Sequence, residues 1–72
     1  MGAIRNAMIE TGRMDAKCKL ECTNVVTDGD WARVECYLYK GQRAKKPCMY
    51  WNVCVYVPER KVHWDTTTFY HL

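Results

Sequence analysis

The feature that most constrains this chain is strict alternation. In CMYWNVCVYV (48–57), Met49, Trp51, Val53, Val55 and Val57 fall on one side, and Cys48, Tyr50, Asn52, Cys54 and Tyr56 on the other. Successive side chains of a strand point to opposite faces, so a period of two over ten residues marks a strand with one face buried. WARVECYLY (31–39) repeats the pattern: Ala32, Val34, Cys36 and Leu38 oppose Trp31, Arg33, Glu35, Tyr37 and Tyr39. AKCKLECTNVV (16–26) does so with Ala16, Cys18, Leu20, Cys22 and Val26, and polar Asn24 is the one exception on that side. VHWDTTTFYH (62–71), rich in Thr and aromatics, reads as the last strand.

The connections order these strands as a meander. Asp28-Gly29 is a strong hairpin signal. A two-residue turn on that pair sets the apolar face of the first strand against the polar face of the second, because a one-residue slip inverts every side chain. A three-residue loop, Thr27-Asp28-Gly29, restores the parity, with Gly29 left-handed and Cys22 opposite Val34, Leu20 opposite Cys36 and Cys18 opposite Leu38. It leaves Glu21 facing Glu35. Sliding the loop by one residue removes that clash and sets Cys22 opposite Cys36; the first register is preferred. Pro58 ends the third strand, and a four-residue PERK turn pairs Val57 with Val62, Val55 with Trp64 and Val53 with Thr66. That turn also sets Cys54 opposite Asp65 and Tyr56 opposite His63.

Ahead of the strands, Ile4, Ala7 and Met8 share one side of a helix over about 2–12, with Gly12 where a C-terminal cap belongs. The expectation is an α+β fold in a single domain, 1–72: the helix, then a four-stranded antiparallel meander (16–26, 31–39, 48–57, 62–71), with curling toward a small barrel as a way of covering apolar surface. The expected core is Cys18, Leu20, Cys22, Val34, Cys36, Leu38, Met49, Trp51, Val53, Val55, Val57, Val62 and Trp64. One short helix covers about half of a four-stranded sheet, from helix diameter against strand spacing. A chain of 72 residues has little core of its own, so the remaining apolar area calls for curvature, a partner or self-association.

No apolar run approaches the length of a membrane-spanning helix, and MGAIRNAMIETGR lacks the pattern of a secretory signal. Asn6 stands where a myristoylation motif has Ser or Thr. Five cysteines are an odd set, which suits reduced thiols in an intracellular, cytoplasmic setting better than a secreted disulfide framework. A Cys22–Cys36 disulfide is the sharper alternative. Zinc is not expected, because Cys18 and Cys22 on a strand lie about 13 Å apart, too far to share a metal. No cofactor is expected.

The net charge is only +3, but it is unevenly placed. Residues 1–39 hold five cations and six acids, whereas no acid occurs between Glu35 and Glu59. Within that gap lies KGQRAKKP, with Lys40, Arg43, Lys45 and Lys46. The outer face of the sheet carries Trp31, Arg33, Tyr37, Tyr39, Tyr50 and Tyr56, with Lys17, Lys19, His63 and Phe69. Tyr, Trp and Arg together suit a protein interface. The expectation is therefore a small non-enzymatic protein-interaction module, such as a subunit, inhibitor or viral or phage accessory protein, binding through the aromatic face and the basic loop. The runner-up is a nucleic-acid binder, with the loop on phosphates and the tyrosines stacking on bases. A small enzyme built on Cys54 with His63 and Asp65 ranks a distant third, since no oxyanion donors or cleft are in view.

Overall fold

The computed structural model describes residues 2–71, and for Thr66 the backbone only. One helix, α1 (Ala3–Glu10), precedes four antiparallel strands: β1 (Lys19–Asp28), β2 (Trp31–Tyr39), β3 (Met49–Tyr56) and β4 (Lys61–His71). The sheet order is β1-β2-β3-β4. The sheet is open: β1 and β4 are its edges and do not pair with each other, so the expected curling does not reach a barrel.

Helix α1 ends where Gly12 adopts a left-handed φ of 76°. The Gly12 amide donates to the Ile9 carbonyl and the Arg13 amide to that of Met8, at 3.1 and 2.7 Å. This double closure satisfies carbonyls that a helix end otherwise leaves unpaired. The chain can then turn back so that Met14 and Cys18, both nearly buried, join the fully buried Met8 on the sheet. Arg5 fixes the docking by donating to the carbonyls of Cys18 and Ala16 at 3.0 and 2.9 Å. The first strand therefore starts at Lys19 and not at residue 16. The Asp15 side chain accepts the Lys17 amide at 2.8 Å, and its backbone carbonyl accepts that of Cys18, making a turn of the residues expected to be extended.

The core is Met8, Met14, Cys18, Val34, Cys36, Leu38, Trp51 and Val53, with Ile4, Ile9, Leu20, Cys48, Met49, Val55, Val62 and Trp64 packed around it. Two expected core residues lie outside it. Cys22 is exposed on the edge strand, and Val57, in a short 3-10 turn over Val57–Glu59, is 46% exposed.

The register of the first hairpin corrects the expected one. Asp28 pairs with Trp31, leaving a two-residue turn at Gly29-Asp30, with Gly29 left-handed at φ 60°. This turn carries the parity conflict, and a bulge resolves it. Between the pairs Thr23–Glu35 and Val26–Arg33, two residues of β1, Asn24 and Val25, oppose Val34 alone. Asn24 is left-handed at φ 51°, a conformation Asn tolerates better than most residues. Beyond the bulge, Cys22 lies opposite Cys36 and Leu20 opposite Leu38, and Glu21 meets Tyr37 instead of Glu35. Val26 moves to the outer face, 63% exposed.

The last hairpin also departs from expectation. Pro58 is the second residue of the 3-10 turn, Arg60 closes it in a left-handed conformation, and the strands pair Tyr56–Lys61, Val55–Val62 and Cys54–His63. Pairing then breaks. Four residues of β4, 64–67, span a single residue of β3 before Asn52 meets Thr68, Trp51 meets Phe69 and Tyr50 meets Tyr70. The Thr67 hydroxyl donates to the His63 carbonyl at 2.8 Å inside this excursion. The sheet is thus built from five pairing runs, β1, β2, β3 and the two halves of β4, and not from four continuous strands. Phe69, expected on the outer face, shares the core side with Trp51.

Candidate interaction surface

Every residue expected at the site lies on the outer face or in the basic loop, but they do not form one patch. At the loop end, Tyr37 and Tyr50 pair across β2 and β3 with ring centroids 5.2 Å apart, and Tyr50 stacks on Tyr70 at 5.8 Å. At the other end, Trp31 meets Tyr56 at 5.2 Å and His63 at 4.7 Å. Trp31 and Tyr37 are six residues apart on β2, about 20 Å at the rise of a strand. Arg33 lies exposed between the two groups.

The loop-end group is not purely cationic. Glu35 is half-buried in its midst and accepts the Tyr50 hydroxyl at 3.0 Å and the Asn24 side-chain amide. Burial, and donation to that carboxylate, hold the Tyr50 phenol above its ordinary pKa. Glu21 accepts the Tyr39 hydroxyl at 3.4 Å and pairs with Lys19 at 3.3 Å, whose ammonium also lies 4.5 Å from the Tyr39 ring centroid. Lys40, Arg43, Lys45 and Lys46 are exposed and make no ion pair with any described residue. The strongest cations are therefore in the loop, whereas the tyrosines expected to work with them surround two carboxylates.

The opposite end has a different character. Val26, Asp28, Trp31, Ala32, Arg33 and Cys54 line a depression of about 290 Å³. Trp31 is 42% exposed. Val26 entered this surface only because the bulge inverted it. Its alternation pattern had placed it on the apolar side of the strand, and the one hint was Asn24 breaking that pattern.

Cys54 lies directly opposite His63, not opposite Asp65, which falls in the excursion of β4. The expected Cys54, His63 and Asp65 constellation is therefore not assembled by the pairing. Among the described residues, no three His, Cys, Asp or Glu side chains converge as a metal site would need. Among the described residues, no helix is long and apolar enough to cross a membrane.

Sequence reasoning missed a second grouping on the core side. The Arg13 guanidinium lies 3.8 Å from the Trp64 ring centroid and 5.9 Å from that of Trp51, which stacks on Phe69 at 4.9 Å. These residues, with Thr11 and Thr67, edge a shallow recess where the helix leaves the sheet uncovered. The cation caps aromatic surface that the short helix cannot reach. Only the helix-terminal position of Arg13 hinted at it.

Comparison with protein-family models, with curated proteins and with solved structures finds no match to this chain.

Proposed function

We propose that the protein is a non-enzymatic interaction module that docks a protein partner on the outer face of its sheet, centred on Trp31. One observation carries this reading: Trp31, Val26 and Arg33 edge a depression beside the Trp31, Tyr56 and His63 cluster, and Trp, Tyr and Arg are the side chains that dominate binding energy at protein interfaces. A partner with an apolar side chain for the depression and a carboxylate for Arg33 fits it. The face is favoured over the edges because both edge strands are interrupted, β1 by its bulge and β4 by its excursion. Such irregularities blunt strand addition. A subunit, an inhibitor and a viral or phage accessory protein are all compatible with this mode.

Nucleic-acid binding is the second reading. The observation in its favour is the basic loop, four exposed cations that pair with no acid among the described residues. Glu21 and Glu35 among the adjacent tyrosines weigh against it, because a polyanion stacked there would meet two carboxylates. The two readings separate by experiment. Trp31→Ala weakens a protein partner at least tenfold and leaves weak polyanion binding unchanged. Lys45→Glu/Lys46→Glu abolishes binding of short RNA or DNA, with a strong salt dependence, if the second reading holds. Catalysis through Cys54 has the least support, because Asp65 is not paired opposite Cys54 and no oxyanion donors are in view among the described residues.

A further inference from the structure

We propose that Cys22 and Cys36 form a thiol–disulfide exchange site for small disulfides of the glutathione class. The bulge at Asn24 and Val25 sets the register that makes these residues direct cross-strand partners. Opposed positions of antiparallel strands lie within the range a disulfide spans. The Cys36 thiol is in contact with Cys22, its Sγ donating to the Cys22 Sγ at 3.1 Å. The two differ in access: Cys22 is exposed on the edge strand, whereas Cys36 is wholly buried. That difference assigns the roles. Only Cys22 can be reached by a dissolved disulfide, and only Cys36 is placed to displace what Cys22 captures.

The hydrogen bond from Cys36 stabilises a thiolate on Cys22 and lowers its pKa, while the same bond, burial and the neighbouring charge push the Cys36 thiol up. A lowered pKa with exposure makes a reactive cysteine. In the first step the Cys22 thiolate attacks one sulfur of glutathione disulfide. The sulfur–sulfur bond of the reagent breaks, one glutathione leaves as thiolate and takes a proton, and Cys22 carries the other in a mixed disulfide. With its charge gone, Cys22 no longer opposes ionisation of Cys36. Cys36 then attacks the Cys22 sulfur and expels the second glutathione, whose departing sulfur takes the Cys36 proton. In sum the protein dithiol is oxidised by two electrons, and one glutathione disulfide is reduced to two thiols. The reverse sequence, with excess glutathione, restores the dithiol. The remaining cysteines are placed differently: Cys18 is buried, Cys48 donates to the Leu38 carbonyl at 3.4 Å, and Cys54 lies on the opposite face.

The test treats the full reduced chain with glutathione disulfide, traps free thiols by alkylation, and reads intact mass and the linked peptides. The expected product has lost two hydrogens, retains no glutathione, and links Cys22 to Cys36. Cys36→Ser stops at a stable glutathione adduct on Cys22, and Cys22→Ser slows oxidation roughly tenfold or more. A glutathione adduct that persists in the unaltered chain, a link that involves Cys18, Cys48 or Cys54, a disulfide between chains, or five thiols that remain free while the unfolded chain reacts, would each overturn the proposal. The unaltered chain decides the matter by its peptide map, so a variant that fails to fold does not.

Discussion

Tyr50 and Glu35, on adjacent strands, are joined by a 3.0 Å hydrogen bond from the phenol to the carboxylate, and Asn24 of the bulge donates to the other oxygen of the same group. One carboxylate thus ties the edge strand, β2 and the tyrosine cluster together. It also leaves negative charge where the sequence had suggested a surface for phosphates. Replacing Glu35 with Ala removes the partner of a half-buried phenol and of the bulge residue. An unfolding titration should show a loss of about 1–3 kcal/mol, the range for stripping buried donors of an acceptor. A change near zero would mean the network adds nothing to stability.

The bulge itself is open to test at Asn24. A β-branched residue at a positive φ costs about 1–3 kcal/mol, so Asn24→Val is expected to destabilise by that amount and Asn24→Gly by less. If Val is tolerated as well as Gly, then residue 24 is not left-handed in solution and the two-residue turn must be reconciled with the sheet in another way.

Met8 is the one helix residue fully enclosed by the sheet. Truncating a buried Met to Ala costs about 2–5 kcal/mol, a large share of what so small a domain possesses. For Met8→Ala the prediction is loss of amide-exchange protection in α1 before the strands, with a lower unfolding midpoint. Equal protection of α1 in the variant would place the helix elsewhere.

Much of this architecture was legible in the residues, and the failures have physical causes. β2 and the centre of β3 are buried on one side and solvated on the other, so their alternation reads directly. The edge strand is exposed along most of its length, so burial does not discipline its pattern. The parity conflict at Asp28-Gly29 was visible, and so was the misfit of Asn24, but two remedies, a longer loop or a bulge, satisfy parity equally. The excursion in β4 falls in Trp-Asp-Thr-Thr, with no Gly or Pro to announce it, and Thr67 closes it by bonding back to the His63 carbonyl. For the site, period two placed Trp31, Tyr37, Tyr39, Tyr50 and Tyr56 on one face, but not Phe69, which the excursion in β4 inverts. It could not show that distance along the strands divides them, or that Glu35 occupies the middle of one group.

The thiol pair predicts a pH dependence. Because the Cys22 pKa is lowered, its thiolate persists to lower pH than that of an ordinary cysteine. Its alkylation rate should rise with pH through a midpoint below the usual thiol range. Cys36→Ala removes the donor that stabilises the thiolate, so the midpoint should move up. A midpoint at the ordinary value in the unaltered chain would show that the hydrogen bond does not hold the thiolate.

Oxidation of the pair should also stabilise the fold. A bridge across fourteen residues of sequence constrains the unfolded chain by about 3 kcal/mol in the loop-entropy account. That corresponds to a rise of roughly 4–8 °C in Tm per kcal/mol for a chain of this size. Calorimetry of the reduced and oxidised forms measures it, and an oxidised form that melts no higher would mean the bridge strains the sheet.

The central claim is that Trp31 anchors a protein partner on the outer face. Its most direct test is the dissociation constant of a purified partner for the unaltered chain, for Trp31→Ala and for Lys45→Glu/Lys46→Glu, with the partner first recovered by a crosslinker placed at Tyr56. Trp31 is exposed, so its removal should shift stability by less than about 1 kcal/mol. Binding should weaken by about 2 kcal/mol or more, with the loop variant changed far less. Equal affinity for the Trp31→Ala chain, or a bound species that proves to be nucleic acid lost only in the loop variant, would contradict the account.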